Sequence, residues 1–520
     1  MSDAVGRRAG ILIPLFSFPS SRSWGIGEIT DLPILARWLE GAAQRLLQLL
    51  PINALAPGES SPYSALSAMA IDPQFISLHA VDDFNAAGGE AALSPGLRRE
   101  LDAVRRAPAV DYRRVRALKD AALRQAFAHF RRHEWERDGA RAQHLRSFID
   151  AQAWWLDDYV LYRALRVSNG ERPWTEWPEP QRARHPEALA AARRELADEI
   201  LFRQYVQWLA GSQWQAARQA MGSVQLFGDL PFMVSGDSAD VWSRQEEFRL
   251  DASVGVPPDA FSDTGQDWGL PAYRWDVCEA GDFEWLRRRA RRNADLYDGY
   301  RVDHLVGFYR TFIRPHGGEP EFVPAEEAAQ TQLGERLLTL FREPGAEIIA
   351  EDLGTVPDFV RESLARLGVP GYKVFRWERQ WEEPGQPFRD PREYPARAVA
   401  TSGTHDTEPM VVWWEAASAE EREAVLAIPG VRELARDPDR PYEALLETLF
   451  ASGADLLILP VQDVFGWRDR INQPATVGDS NWTWRMPWPV DQMANEPAAQ
   501  EISARLAGWA RRHGRSRVEG

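Results

Sequence analysis

The stretch EIIAEDLG, residues 347–354, decides the fold: a short apolar run ends in two acids, Glu351 and Asp352, and then a glycine. The same form recurs in VQLFGDL from Val224 with Asp229, in YRVDH from Tyr300 with Asp303, and in ARAVATSG from Ala396, which leads into THDT with Asp406. Such runs read as buried strands that each deliver a carboxylate to one rim of a sheet. Four further runs, ILIPLFSF from Ile11, RLLQLLPI from Arg45, GYKVFRW from Gly371 and DLLILPVQD from Asp455, bring the set to eight. Stretches of helical spacing separate most of them. Strands alternating with helices predict an α/β fold with a parallel sheet, and eight such units predict a closed (β/α)8 TIM barrel.

The alternation breaks between the second and third strands. Residues 82–221 are rich in Arg and Ala, and Leu118, Ala122, Phe127 and Phe130 recur at intervals near three and four, as do Leu201, Tyr205 and Leu209. This spacing predicts a helical insertion within one catalytic barrel spanning 1–520. Pro173, Pro178 and Pro180 mark a loop inside it. A second feature is GVPPDAFSDTGQDWGLPAY, residues 255–273, which reads as a long loop without secondary structure, either an active-site lid or a surface Ω-loop. The basic tail 511–520 is expected to fray.

Composition excludes several classes. A formal net charge of −16 makes nucleic acid and anionic membrane poor partners. No apolar run approaches the roughly 18 residues that span a bilayer, and MSDAVGRRAGILIPLFSFPS lacks the apolar core and cleavage site of a secretion signal. The single cysteine, Cys278, cannot close an intramolecular disulfide, so a reducing, cytoplasmic setting is expected. Tryptophan outnumbers tyrosine, 22 to 12, and indole faces suit pyranose rings. The pairs Trp154–Trp155 and Trp413–Trp414 nonetheless sit in helical surroundings and are assigned to packing.

Carboxylates on separate strands suit glycosidic-bond chemistry, in which a retaining enzyme needs a nucleophile and an acid about 5 to 5.5 Å apart. Asp303 is the candidate nucleophile. Residues two apart on a strand face the same way, so Arg301 should accompany it and hold it ionised; the pair also reads as a structural ion pair at a strand end. Glu351 is the candidate acid/base, with its pKa raised by the charge of Asp303 and by partial desolvation. Asp352 points to the other face and is expected to bond backbone. His405 and Asp406 can grip the hydroxyls of the reacting sugar. A His–Asp pair also fits a nucleophile triad, but no G-x-S-x-G elbow exists. No C-x-x-C and no H-E-x-x-H suggests a metal, and Gly25-Ile26-Gly27 lacks the third glycine of a dinucleotide site. No cofactor is expected.

Taken together, SSPYSALSAMAIDP from Ser60, GDLPFMVSGDSADVW from Gly228, GVPPDAFSDTGQDWG from Gly255, YRVDHLVGFYR from Tyr300, IIAEDLG from Ile348 and GTHDT from Gly403 resemble the signature segments of the amylomaltases, the 4-α-glucanotransferases also called disproportionating enzymes. The resemblance extends to NWTWRMPW near Trp482, nearly the whole chain. It implies an α-amylase-type barrel that cuts an α-1,4-glucan, holds the glycosyl part covalently and passes it to the 4-hydroxyl of another sugar, without a metal. Its partners would be maltooligosaccharides and starch- or glycogen-type glucans. Position by position, it makes Asp303 the nucleophile, Glu351 the acid/base and Asp406 the transition-state stabiliser. It also places substrate binding on Arg301, His405, Ser61, Tyr63, Asp229, Gln266, Trp268 and Asn472.

Two departures stand out. The family's N-x-P-G-T reads Asn472-Gln473-Pro474-Ala475-Thr476, where Ala is costly if φ must be positive, and G-D-S-P-Y reads G-E-S-S-P-Y from Gly58, one residue longer. Both bear on chain-length preference rather than reaction type. The competing readings are an α-1,4-glucan hydrolase of the same barrel class and a non-catalytic glucan-binding protein.

Overall fold

Eight parallel strands close the barrel, one within or overlapping each of the eight apolar runs. They are β1 (Arg8–Leu12), β2 (Leu46–Gln48), β3 (Gln225–Pro231), β6 (Gly299–Asp303), β9 (Glu347–Ala350), β10 (Gly371–Val374), β11 (Ala398–Thr401) and β12 (Leu456–Pro460), in the cyclic order β1-β2-β3-β6-β9-β10-β11-β12. The computed structural model describes residues 6–257, 265–435, 441–474, 476, 478 and 480–516. β11 and β12 are buried along their whole length, as strands covered on both faces must be, and this is why they read as continuous apolar runs. At Gly10 a Cβ would lie 2.3 Å from both Cβ and O of Leu46, so only glycine lets β1 and β2 approach at that point.

Three long helices, Tyr112–Phe130, Ala140–Ser168 and Ala197–Gln219, dominate the segment between β2 and β3. Leu118, Ala122, Phe127, Phe130, Tyr205 and Leu209 are all buried, so the periodic positions face the core. Lys119 shares this interior: its Nζ donates to Glu28 Oε1 at 2.6 Å and to the carbonyls of Gln74 and Ile76. Both side chains of the Lys119–Glu28 pair are at most 2% exposed. The helical segment is thereby bonded to the loop that follows β1.

The segment 255–273 departs from the expected unstructured loop. β4 (Phe248–Val256) and β5 (Gln266–Tyr273) pair antiparallel, and with β7 (Thr311–Pro315) and β8 (Glu321–Val323) they form a second sheet in the order β5-β4-β7-β8. Backbone donors and acceptors need partners, and this arm supplies them from its own two sides despite its Gly and Pro content. Gly255 allows the close pairing, since a Cβ there would meet Gln266 O at 2.0 Å. Residues 258–264, between β4 and β5 in sequence, lie outside the described residues.

The C-terminal segment also differs from expectation. Arg511 and Arg512 end the helix Pro497–Arg512, and Arg515 is fully buried, donating to the carbonyls of Phe450, Ser452, Ala454, Asp455 and Arg8. Residues 517–520 are not described. The first strand begins at Arg8, earlier than its apolar run, and Leu15–Ser17 within that run is a 3-10 turn. No helix among the described residues is long and apolar enough to cross a membrane.

Candidate active site

Register brings the first groups together. Asp229 on β3 is the direct neighbour of Arg301 on β6, and Pro231 is the neighbour of Asp303. Arg301 Nη1 lies 2.9 Å from Asp229 Oδ1 and 2.8 Å from Asp303 Oδ1. One guanidinium thus holds carboxylates from two strands, as the alternation of Arg301 and Asp303 along β6 requires. Its other amino group stands 3.9 Å from Glu351 Oε2. Glu351 follows β9, where its backbone N–H extends the ladder to Val302 O at 3.1 Å.

Glu351 is fixed by backbone as well as by charge. It accepts from His304 N at 2.8 Å and from Leu353 N at 3.0 Å. His304 has a left-handed φ of 48°, uncommon for a residue with a Cβ, at the turn that ends β6. Burial is the main reason that the Glu351 carboxyl is pushed up to about 7, with Arg301 opposing the rise and Asp303 adding to it. Asp229 is raised by burial too, against the pull of Arg301. Burial likewise weakens the charge of Arg301, but Asp229 and Asp303 outweigh it and its pKa lies above the ordinary arginine range. The His304 imidazole is lowered to about 4 by burial and is neutral at pH 7.

A second chain of bonds joins this group to Asp406. Tyr63 Oη donates to Asp229 Oδ2 at 2.8 Å and stands 3.1 Å from His405 Nε2. That nitrogen lies 3.3 Å from Asp406 Oδ2, and Asn472 Nδ2 donates to Asp406 Oδ1 at 2.7 Å. Tyr63 and His405 stack with ring centroids 5.6 Å apart, and Trp482 packs against both. A continuous network therefore runs from Glu351 through Arg301, Asp303, Asp229, Tyr63, His405 and Asp406 to Asn472, with members more than four hundred residues apart in sequence. The side chains of Asp303 and Asp406 are 32% and 42% exposed, against 13% for Glu351 and none for Asp229. Two acids thus face the opening, one borders it, and one is wholly interior.

The remaining sequence candidates sit at the margin. Trp268 on β5 meets the His304 ring edge-on at 4.8 Å, which brings the arm over the end of β6. Gln266 is exposed on the same strand and accepts from Trp268 Nε1 at 3.4 Å. Ser61 is half-buried two residues before Tyr63 and is linked to it by a 3.4 Å bond from Tyr63 N to its Oγ. Asp352 turns away from the group, and its Oδ1 accepts from Tyr372 N at 2.7 Å. Ala475 lies outside the described residues, while Asn481 ties the flanking chain by accepting from Gln473 N and donating to Thr476 O.

Three supporting residues carry no sequence signal of their own. Arg470 Nη2 donates to Asp406 O at 2.7 Å, Arg376 Nη1 donates to Glu408 Oε1 at 2.6 Å, and Glu408 Oε2 lies 3.7 Å from Arg470. Only proximity could have flagged them, Glu408 two residues after Asp406 and Arg470 two before Asn472. A cavity of about 470 Å³ opens elsewhere, between segment 54–60 and the helices Tyr112–Phe130 and Ala197–Gln219, and none of the network's acids lines it. Among the described residues no group of three or more His, Cys, Asp and Glu side chains is arranged to hold a metal ion.

The chain as a whole is similar to known proteins. A family model described as 4-alpha-glucanotransferase matches residues 13–491. A 4-alpha-glucanotransferase of Thermus thermophilus is 34% identical over 92% of this chain and 95% of its own length. One from Synechocystis sp. is also 34% identical, over 92% of this chain and 94% of its own length. The solved structure of an amylomaltase from Streptococcus agalactiae in complex with acarbose superposes with a TM-score of 0.82 at 28% identity, covering 98% of this chain and 99% of that one.

Proposed function

We propose that this chain, which belongs to the 4-α-glucanotransferase family, passes α-1,4-glucan segments from a donor to the 4-hydroxyl of glucose or another glucan by a retaining double displacement on Asp303, Glu351 and Asp406. In the first step an Asp303 oxygen attacks the anomeric carbon while protonated Glu351 gives its proton to the glycosidic oxygen. The bond to the leaving glucan breaks, and a glycosyl ester on Asp303 forms. In the second step ionised Glu351 takes the proton of the acceptor hydroxyl, whose oxygen attacks the same carbon and frees Asp303.

The observation that carries this reading is the placement of Glu351. It shares one guanidinium with the Asp303 carboxylate, and burial pushes its carboxyl up to about 7. A group half-protonated near neutral pH can serve as acid in one step and base in the next. Asp406, braced by Asn472 and beside His405, is placed to grip hydroxyls of the reacting sugar as its ring flattens. Arg301 and Asp229 position Asp303, Tyr63 and His405 line the sugar site, and Trp268, with Gln266 and Ser61, borders it. The arm bearing Trp268 is suited to keep water from the glycosyl ester, which transfer requires because water is at about 55 M.

Maltooligosaccharides and starch- or glycogen-type glucans are the donors and acceptors. The helices of residues 82–221 belong to the same catalytic unit, as the buried Lys119–Glu28 bond supports. The lone Cys278, a buried thiol, suits a reducing cytoplasm. Incubation with pure maltotriose and separation of the products tests the activity. Glucose together with chains longer than the substrate is the expected result; glucose and maltose alone would mean hydrolysis and would overturn the proposal.

A further inference from the structure

Helices Tyr112–Phe130, Ala140–Ser168 and Ala197–Gln219 wall the cavity of about 470 Å³ that opens beside segment 54–60. Its volume falls within the roughly 300–1,000 Å³ of small-molecule sites. Leu123, Phe202 and Val206 give it apolar surface, while Arg116, Arg163 and Arg203 bring one guanidinium from each helix. None of the carboxylates assigned to the reaction lines it.

Donors in this cavity are left over. Tyr159 is 3% exposed and lines the wall, yet its Oη makes no hydrogen bond to protein among the described residues. Buried hydroxyls rarely lack a partner. Arg203 donates from Nε to Glu199 Oε1 at 2.7 Å, and its Nη1 likewise makes no hydrogen bond to protein among the described residues. Arg116 donates to Leu55 O at 2.8 Å and forms no ion pair among the described residues. Arg163 shares Glu171 with Arg166, as Arg203 shares Glu199 with Arg124. The acids that line the cavity are otherwise occupied or peripheral: Asp72 accepts from Leu55 N and Gln74 N, Asp120 accepts from Arg124, and Glu59 is exposed. Burial raises the pKa of the Tyr159 hydroxyl, and Arg163, Arg203 and Arg116 oppose that rise while Asp72 adds to it, so guanidiniums from three helices surround one oxygen. Burial and the Arg163 charge together lower the pKa of Arg203, against the pull of Glu199. Cations that repel each other beside a cavity are relieved by an anion placed among them.

We propose that this cavity binds the phosphate group of a small molecule, free or esterified, held by Tyr159 Oη and the guanidiniums of Arg116, Arg163 and Arg203. Donors arriving from three helices suit a tetrahedral anion, which offers an acceptor oxygen in each direction, better than a planar carboxylate. The volume and the apolar wall leave room for an organic remainder. This site is separate from the acids and does not depend on the glucan chemistry proposed above.

Calorimetric titration at low ionic strength with glucose 6-phosphate, inorganic phosphate and glucose tests it, on the wild type and on Arg116→Gln, Arg203→Gln and Tyr159→Phe. Saturable binding of phosphate to the wild type is expected. Either Gln variant should raise Kd about 10-fold or more, the scale of a charge-assisted hydrogen bond, and Tyr159→Phe, which keeps the buried ring, about 2- to 10-fold. Tighter binding of the ester than of the free ion identifies an organic phosphate as the ligand, and equal affinity identifies the ion; both support the site. No binding of either at millimolar concentration overturns it, as do affinities that all three variants leave unchanged. Glucose binding that the variants weaken as much as they weaken phosphate binding also overturns it, because the cavity would then recognise sugar hydroxyls.

Discussion

Replacing Arg301 with methionine probes the charge balance of the site. The guanidinium stands 3.9 Å from Glu351 Oε2 and favours its ionised form. At an effective dielectric constant of about 20 that separation corresponds to roughly 4 kcal/mol, a ceiling of about 3 pH units on the Glu351 carboxyl. In the proposed mechanism the first step needs protonated Glu351, so the alkaline limb of kcat/KM is expected near pH 7 in the wild type and should move upward by about 1 to 3 units in the variant. The same substitution leaves the fully buried Asp229 without its partner, a loss of about 3–5 kcal/mol in stability. Asp229 then has a folded-state pKa raised further above its unfolded value. The variant is consequently least destabilised at low pH and loses stability as pH rises through that value. Maltotriose turnover between about pH 5 and 9.5, with thermal melts at the two ends, reads both effects. An alkaline limb that stays near 7 or moves down, or a melting deficit independent of pH, would refute the reasoning.

Asn472→Ala removes the 2.7 Å bond to Asp406 Oδ1 and should lower kcat/KM on the order of 10-fold with the melting temperature unchanged; wild-type kinetics would show that Asp406 needs no brace there. Lys119→Met leaves Glu28 buried without a counter-charge and should cost about 3–5 kcal/mol in urea unfolding. That deficit should shrink as pH falls and Glu28, already raised by burial, takes a proton. A loss below about 1 kcal/mol would place the pair among dispensable contacts.

The barrel was legible because each of its strands is short, apolar and bounded by charge or turn residues, a pattern that burial on both faces enforces. Acids at strand ends announced Asp303 and Glu351 in the same way. The second sheet was not legible. β5 carries Gly269 and Pro271, residues that ordinarily weaken strands, and its pairing with β4 shifts register twice, so no period of two survives in the sequence. Arg515 was misread for a different reason: a basic residue near a terminus reads as solvated, and only the converging carbonyls of Phe450, Ser452 and Ala454 make its burial favourable. Tyr63 and Asn472 came from the family resemblance, because contacts across hundreds of residues leave no local pattern. Arg376, Glu408 and Arg470 had neither kind of signal.

The account turns on Asp303 as the atom source of the covalent intermediate. Treating Glu351→Gln with α-maltotriosyl fluoride, whose fluoride departs without a proton, should load the enzyme and leave it unable to activate an acceptor. Peptide mass spectrometry is predicted to find a maltotriosyl ester on Asp303. An adduct on any other side chain, or no adduct while free sugar of inverted configuration accumulates, would contradict it.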